Sequence, residues 1–112
     1  MKLRLSGRAQ SDLERSYAYL YANRGAKVAN HFLERAQKAA EFIGQNPYAG
    51  PHPNWATRHR SLRFWPISGT RFVIYYVPEE ESVSIERVLD GRRDVVRILE
   101  RGIEEAEEDL GD

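Results

Sequence analysis

The chain contains no cysteine, which excludes disulfide frameworks, thiolate nucleophiles and cysteine-based zinc sites. No apolar run exceeds about six residues, far short of the roughly 20 that span a bilayer. The amino terminus, Met1-Lys2-Leu3-Arg4-Leu5, lacks the long apolar core of a secretion peptide, so a cytoplasmic location is expected. Lysine is scarce: Lys2, Lys27 and Lys38 are all there are, and the other 14 of 17 basic residues are arginine. His31, His52 and His59 form no helical pair and no ligand spacing, so no metal or other cofactor is expected. A glycine-rich phosphate loop is missing too, since Gly91 runs straight into Arg92-Arg93. Ser61 and Thr57 flank His59 at two residues, and that adjacency alone makes no hydrolytic triad.

What is present suits one soluble domain over residues 1–112. Hydrophobic residues make up 41% and charged residues 30%, a balance that permits a core and excludes a disordered chain. The 17 basic and 17 acidic side chains cancel, yet they are unevenly placed. Residues 1–77 carry 12 basic and 4 acidic side chains, and residues 78–112 carry 5 and 13. Such separation either neutralises itself in the fold or offers opposite surfaces to opposite partners. Arginine in place of lysine favours bidentate contacts with phosphate or carboxylate.

Periodicity sets the layout. Leu3 and Leu5 alternate with Lys2 and Arg4, as in a short half-buried strand. Ser6 then offers an N-cap, preferred over the Ser11/Glu14 capping-box spacing because the stripe Ala9, Leu13, Tyr17, Leu20, Tyr21 begins before Ser11. Gly25 ends that helix. A second helix over about 26–43 gathers Ala29, Phe32, Ala36, Ala39 and Ile43 on one face, and the short link makes the two an antiparallel hairpin. Asn46-Pro47 stops it, and Pro47 to Pro53 reads as an extended loop. Strands follow at about 60–65, 72–77 and 83–89. The middle one, Phe72 to Val77, is apolar on both parities and suits a strand covered on both faces. From Asp94 onward Val95, Leu99, Gly102, Ala106 and Leu110 recur at helical spacing. The expected class is α+β, β-α-α-β-β-β-α, a helical hairpin packed on a small antiparallel sheet.

The chemically informative group is the set of arginines on this sheet: Arg58, Arg60, Arg63, Arg71, Arg87, Arg92 and Arg93. Arg87 shares parity with Val83, Ile85 and Leu89, which places it on the apolar side. A buried guanidinium needs a partner, and Asp90, Asp94 or Glu86 would serve. The alternative is a cationic floor for a phosphate or an acidic partner. Glu104, Glu105, Glu107, Glu108 and Asp109 crowd a helix carboxyl terminus, where the macrodipole disfavours them. They make either a frayed, solvated tail or a contact with cations, those of this protein or of a partner.

The order LRLSGRAQSDLERSYAYL, NPYAG, RSLRFWPISGTRFVIYYV, VLDGRRDVVRILE resembles the ParE branch of the RelE/ParE toxin superfamily, from Leu3 to about Leu99. The resemblance implies the fold already drawn from periodicity and one half of a bacterial toxin–antitoxin pair of the kind associated with plasmid stabilisation. A cognate, ParD-like antitoxin would neutralise it, docking on the helical hairpin or a free sheet edge, with Tyr19 and Tyr48 as anchors. ParE-like members trap DNA gyrase on cleaved DNA; RelE-like members cut messenger RNA on the ribosome. For a nuclease, Arg71 and Arg93 match the family's hairpin arginine and the arginine after the glycine turn, Arg63 is a further basic strand residue, and His59 or Glu86 could substitute as the base. The sheet lysines and the tyrosine after Gly91 are missing, however, and arginine is a poor proton shuttle at neutrality. The expectation is therefore a gyrase inhibitor with no catalytic residues, whose target contacts come from Arg60, Arg63, Arg71, Arg87, Arg92 and Arg93. Direct contact with nucleic acid is left open. A message-cutting enzyme, or an interaction protein that keeps the fold without toxicity, are the alternatives.

Overall fold

The computed structural model describes residues 1–56, 61–93 and 95–101. Strand β1 (Lys2–Leu5) leads into α1 (Gly7–Arg24) and α2 (Ala26–Gln45), followed by β2 (Arg63–Pro66), β3 (Phe72–Pro78) and β4 (Ser82–Asp90). Residues 95–101 are helical. The acidic segment Glu104 to Asp109 lies outside the described residues, as do Thr57 to Arg60 and Asp94.

Ser6 caps α1 as its position demands. Its hydroxyl accepts from the Ala9 N–H at 3.0 Å and donates to the Glu86 carbonyl at 2.7 Å, so one side chain both starts the helix and fastens it to β4. Gly25 joins the two helices at φ 90°, a conformation that glycine adopts without steric cost. The α2 stripe is buried throughout, from Ala29 to Ile43. In α1, Ala9 and Leu20 are buried, but Tyr21 is 53% exposed and only flanks Tyr17, 6.0 Å away between ring centroids.

The sheet order is β1-β4-β3-β2. The expected antiparallel pairing holds for β2-β3-β4, whereas β1 lies parallel to β4 and makes the sheet mixed. Two tight hairpins force β2, β3 and β4 to alternate, and the first strand then joins the last from outside. A parallel neighbour needs a long connection, and here everything from α1 to β3 supplies it. Leu3 and Leu5 are 38% and 44% exposed on this edge strand, not half-buried as alternation suggested. β3 does lie inside the sheet with both faces covered. Phe72, Ile74 and Tyr76 pack under the helices, while Tyr75 joins Ala56, Leu62, Leu89 and Leu99 on the other face.

One irregularity resets the pattern of β4. Tyr75 pairs with Arg87 and Tyr76 with Ile85, leaving Glu86 as an extra residue. A bulge shifts the parity of everything beyond it. Val83 and Ile85 therefore continue under the helices through Val88, and Leu89 falls in the second cluster.

The loop after α2 is locked onto β2. The Phe64 N–H donates to the Pro51 carbonyl at 3.1 Å, and His52 Nδ1 donates to the Leu62 carbonyl at 2.8 Å. Gly50 sits deepest: its N–H donates to the Tyr76 hydroxyl at 3.0 Å. A Cβ there would lie 2.5 Å from both the Phe64 carbonyl and that hydroxyl, which is why the NPYAG segment ends in glycine.

Candidate interaction site

The sheet arginines separate into those committed to the fold and those at its surface. Arg63 donates from Nη1 to the carbonyls of Gly50 (2.7 Å) and Tyr48 (3.2 Å) and lies 5.2 Å from the centre of the Tyr48 ring. It fastens the loop to β2. Arg87 is bound to Asp12 of α1, from Nε at 2.8 Å and Nη2 at 2.9 Å, and not to Asp90 or Glu86; Asp94, the third candidate, lies outside the described residues. The same carboxylate accepts the Val88 N–H at 3.0 Å, a donor on the stretch of β4 that β1 is too short to cover. The hydrogen bonds that Arg87 donates to Asp12 hold its guanidinium above its ordinary pKa, against the opposing effect of burial. Both residues serve the fold.

Arg71, Arg92 and Arg93 come together where β3 begins and β4 ends. Arg71 Nε meets Asp90 at 2.8 Å, and Arg92 Nη2 meets it at 3.4 Å. The Arg92 N–H also donates to Asp90 at 3.0 Å, closing the turn through Gly91. Burial pushes the Asp90 carboxyl up, but hydrogen bonds from Arg92 and the charges of Arg71 and Arg92 outweigh it and hold the pKa below the usual range. The Arg93 side chain makes no ion pair among the described residues. Arg60, Arg58 and His59 lie outside the described residues.

These groups border a cleft of about 300 Å³ between α1 and the end of the β3–β4 pair. Phe72, Val88 and Leu89 form its apolar lining, and α1 contributes Arg15 and Tyr19 at i and i+4 to the rim. Tyr19 is 56% exposed. Sequence reading passed over Arg15 and Asp12. A polar residue at stripe spacing from Ala9 was the available signal for Asp12, and the shared helical face of Arg15 and Tyr19 was the signal for the rim.

Residues 3–95 match the family model described as the ParE toxin of type II toxin–antitoxin system, parDE. The chain belongs to the ParE toxin family. A solved structure titled "Chromosomal ParDE TA system from P. aeruginosa" shares the fold at 17% sequence identity, with a TM-score of 0.66 over 79% of this chain and 92% of that one. No curated protein matches closely enough to refine the assignment. The toxin is thus one half of a ParDE-type pair. Among its described residues there is no group of three His, Asp or Glu positioned for a metal, and no helix is long and apolar enough to cross a membrane.

Proposed function

We propose that this ParE toxin acts by binding DNA gyrase and stabilising its cleaved-DNA complex, with no catalytic step of its own, and that a ParD-like antitoxin neutralises it. The observation that carries the reading is the use of the arginines. Arg63, which a nuclease would need at the reacting phosphate, is bound to two loop carbonyls, and Arg71 is bound to Asp90. The cleft holding Arg71 and Arg93 is lined by Asp, Ser, Tyr, Arg and apolar side chains, none of which ordinarily titrates near neutrality. Such a surface can favour one state of a larger enzyme by differential affinity, and its described residues supply no matched acid and base for RNA cleavage.

The antitoxin's place is supported by the sheet edges. The β2 edge is covered by the loop through Pro51, while among the described residues β1 has β4 on one side and no strand on the other. An exposed edge carrying Leu3 and Leu5 is suited to strand addition. Incubation with gyrase, ATP and supercoiled plasmid tests the target, with topoisomerase IV in parallel. Linear DNA released by detergent and protease is the expected product. Codon-positioned cuts in a translating mixture, with no linear DNA from either topoisomerase, would overturn the proposal.

A further inference from the structure

We infer that the arginine-lined cleft is a binding track for a single strand of DNA, continuing into a second cleft beside it. This rests on the gyrase reading, since a toxin acting on a cleaved DNA complex meets DNA at its target. The second cleft, about 330 Å³, lies between the carboxyl end of α1, α2 and the β2–β3 turn, and shares Arg71 and Phe72 with the first. Along the two clefts run Arg93, Arg92, Arg15, Arg71, Arg24 and His31. Among the described lining residues there are two acids, both in the first cleft, and each is already held: Asp12 by Arg87, and Asp90 by Arg71 and Arg92. The second cleft has none among its described lining residues.

A track two clefts long needs a ligand with repeating negative charge. Its cations are all arginine apart from one histidine, and the guanidinium fork matches phosphate oxygens bidentately. Tyr19 stands on the rim and is 56% exposed, while Phe72, shared by the two clefts, is a core residue. Cations along a groove beside an exposed aromatic face suit non-specific single-strand binding, because every base offers a π-face. An acidic peptide would use the cations but has no repeating ring to stack on Tyr19.

The test uses the full chain and a fluorescein-labelled thymidine oligonucleotide of about 16 nucleotides, the upper end of single-strand site sizes. Binding is read by fluorescence anisotropy across a salt series. Arg15→Ala and Arg93→Ala should each weaken binding and flatten the salt dependence by roughly 0.7 in log–log slope. Tyr19→Ala should weaken it about fivefold or more, whereas Tyr19→Phe should not. Lys27→Ala and Lys38→Ala, off the track, serve as controls, and thermal midpoints confirm that each variant is folded. The inference fails if the oligonucleotide does not bind, if the cleft variants behave like the lysine controls, or if poly-glutamate competes as well as unlabelled DNA. Because the assay contains no gyrase, plasmid linearisation that survives loss of oligonucleotide binding sinks this inference and leaves the target assignment standing.

Discussion

A carboxylate with 4% of its side-chain surface exposed is tolerable only when its oxygens are bonded, and Asp12 has three donors on two oxygens. Arg87→Ala removes two of them and leaves a charge without its counter-ion. Truncating one partner of a buried pair costs about 3–5 kcal/mol, so the urea midpoint should fall sharply. The Asp12→Ala/Arg87→Ala double variant should cost less than the sum of the single changes, and additivity would contradict the pairing. Asp90 gives the second expectation at this scale. Its pKa is lower in the folded protein than in the unfolded chain, so its contribution is complete above about pH 4 and is lost as pH falls through the folded value. Asp90→Asn should therefore shallow the acid limb of stability against pH while changing little of its slope at neutrality. An acid limb identical to that of the parent would refute this. The sequence showed that Arg87 needed a partner and offered three nearby acids. The true partner lies 75 residues earlier in the chain, a distance that no local pattern spans.

At the scale of elements, the loop onto β2 and the open edge of β1 carry different burdens. Gly50→Ala places a methyl group against the Phe64 carbonyl and the Tyr76 hydroxyl. Overpacking of this kind costs about 1–3 kcal/mol. Adding Tyr76→Phe should not rescue it, because the Phe64 carbonyl still obstructs and the Gly50 N–H loses its acceptor; recovery of the thermal midpoint in the double variant would sink that account. On β1, the N–H groups of Lys2 and Ser6 point to β4, donating to Glu81 and Ile85. By alternation, those of Leu3 and Leu5 face outward. Leu5→Pro should thus spare the β4 ladder and lower antitoxin affinity, with Leu5→Ala separating the lost side chain from the lost donor; equal affinities for the two variants would argue against strand addition. The elements themselves were legible, because helix and strand periods, Ser6 and Gly25 are local signals. The parallel pairing of β1 was not, since alternation says which face a residue takes and nothing of which strand lies beside it. The bulge at Glu86 escaped for a related reason: it exists only in register with Tyr75 and Tyr76.

For the whole molecule, neutrality is a sum over two unlike ends. The two clefts beside α1 gather arginines, while Glu104, Glu105, Glu107 and Glu108 follow the helical residues 95–101 in the sequence. Leu99 is buried in the second core cluster with Val95 and Ile98 packed against it. Charges act on one another over a Debye length of about 8 Å at physiological salt and about 30 Å at 0.01 M. Acids attached to a small domain therefore lower its attraction for polyanions most strongly in dilute buffer. Replacing the four glutamates by glutamine takes the formal charge from zero to about +4 without touching the arginine clefts. The variant should elute from heparin at higher salt than the parent, whereas Arg15→Ala and Arg93→Ala should elute earlier. Plasmid linearisation by gyrase at low salt should increase in the glutamine variant, and its advantage should shrink as salt rises. An advantage independent of salt would mean that the acidic segment acts through contact instead of through its field.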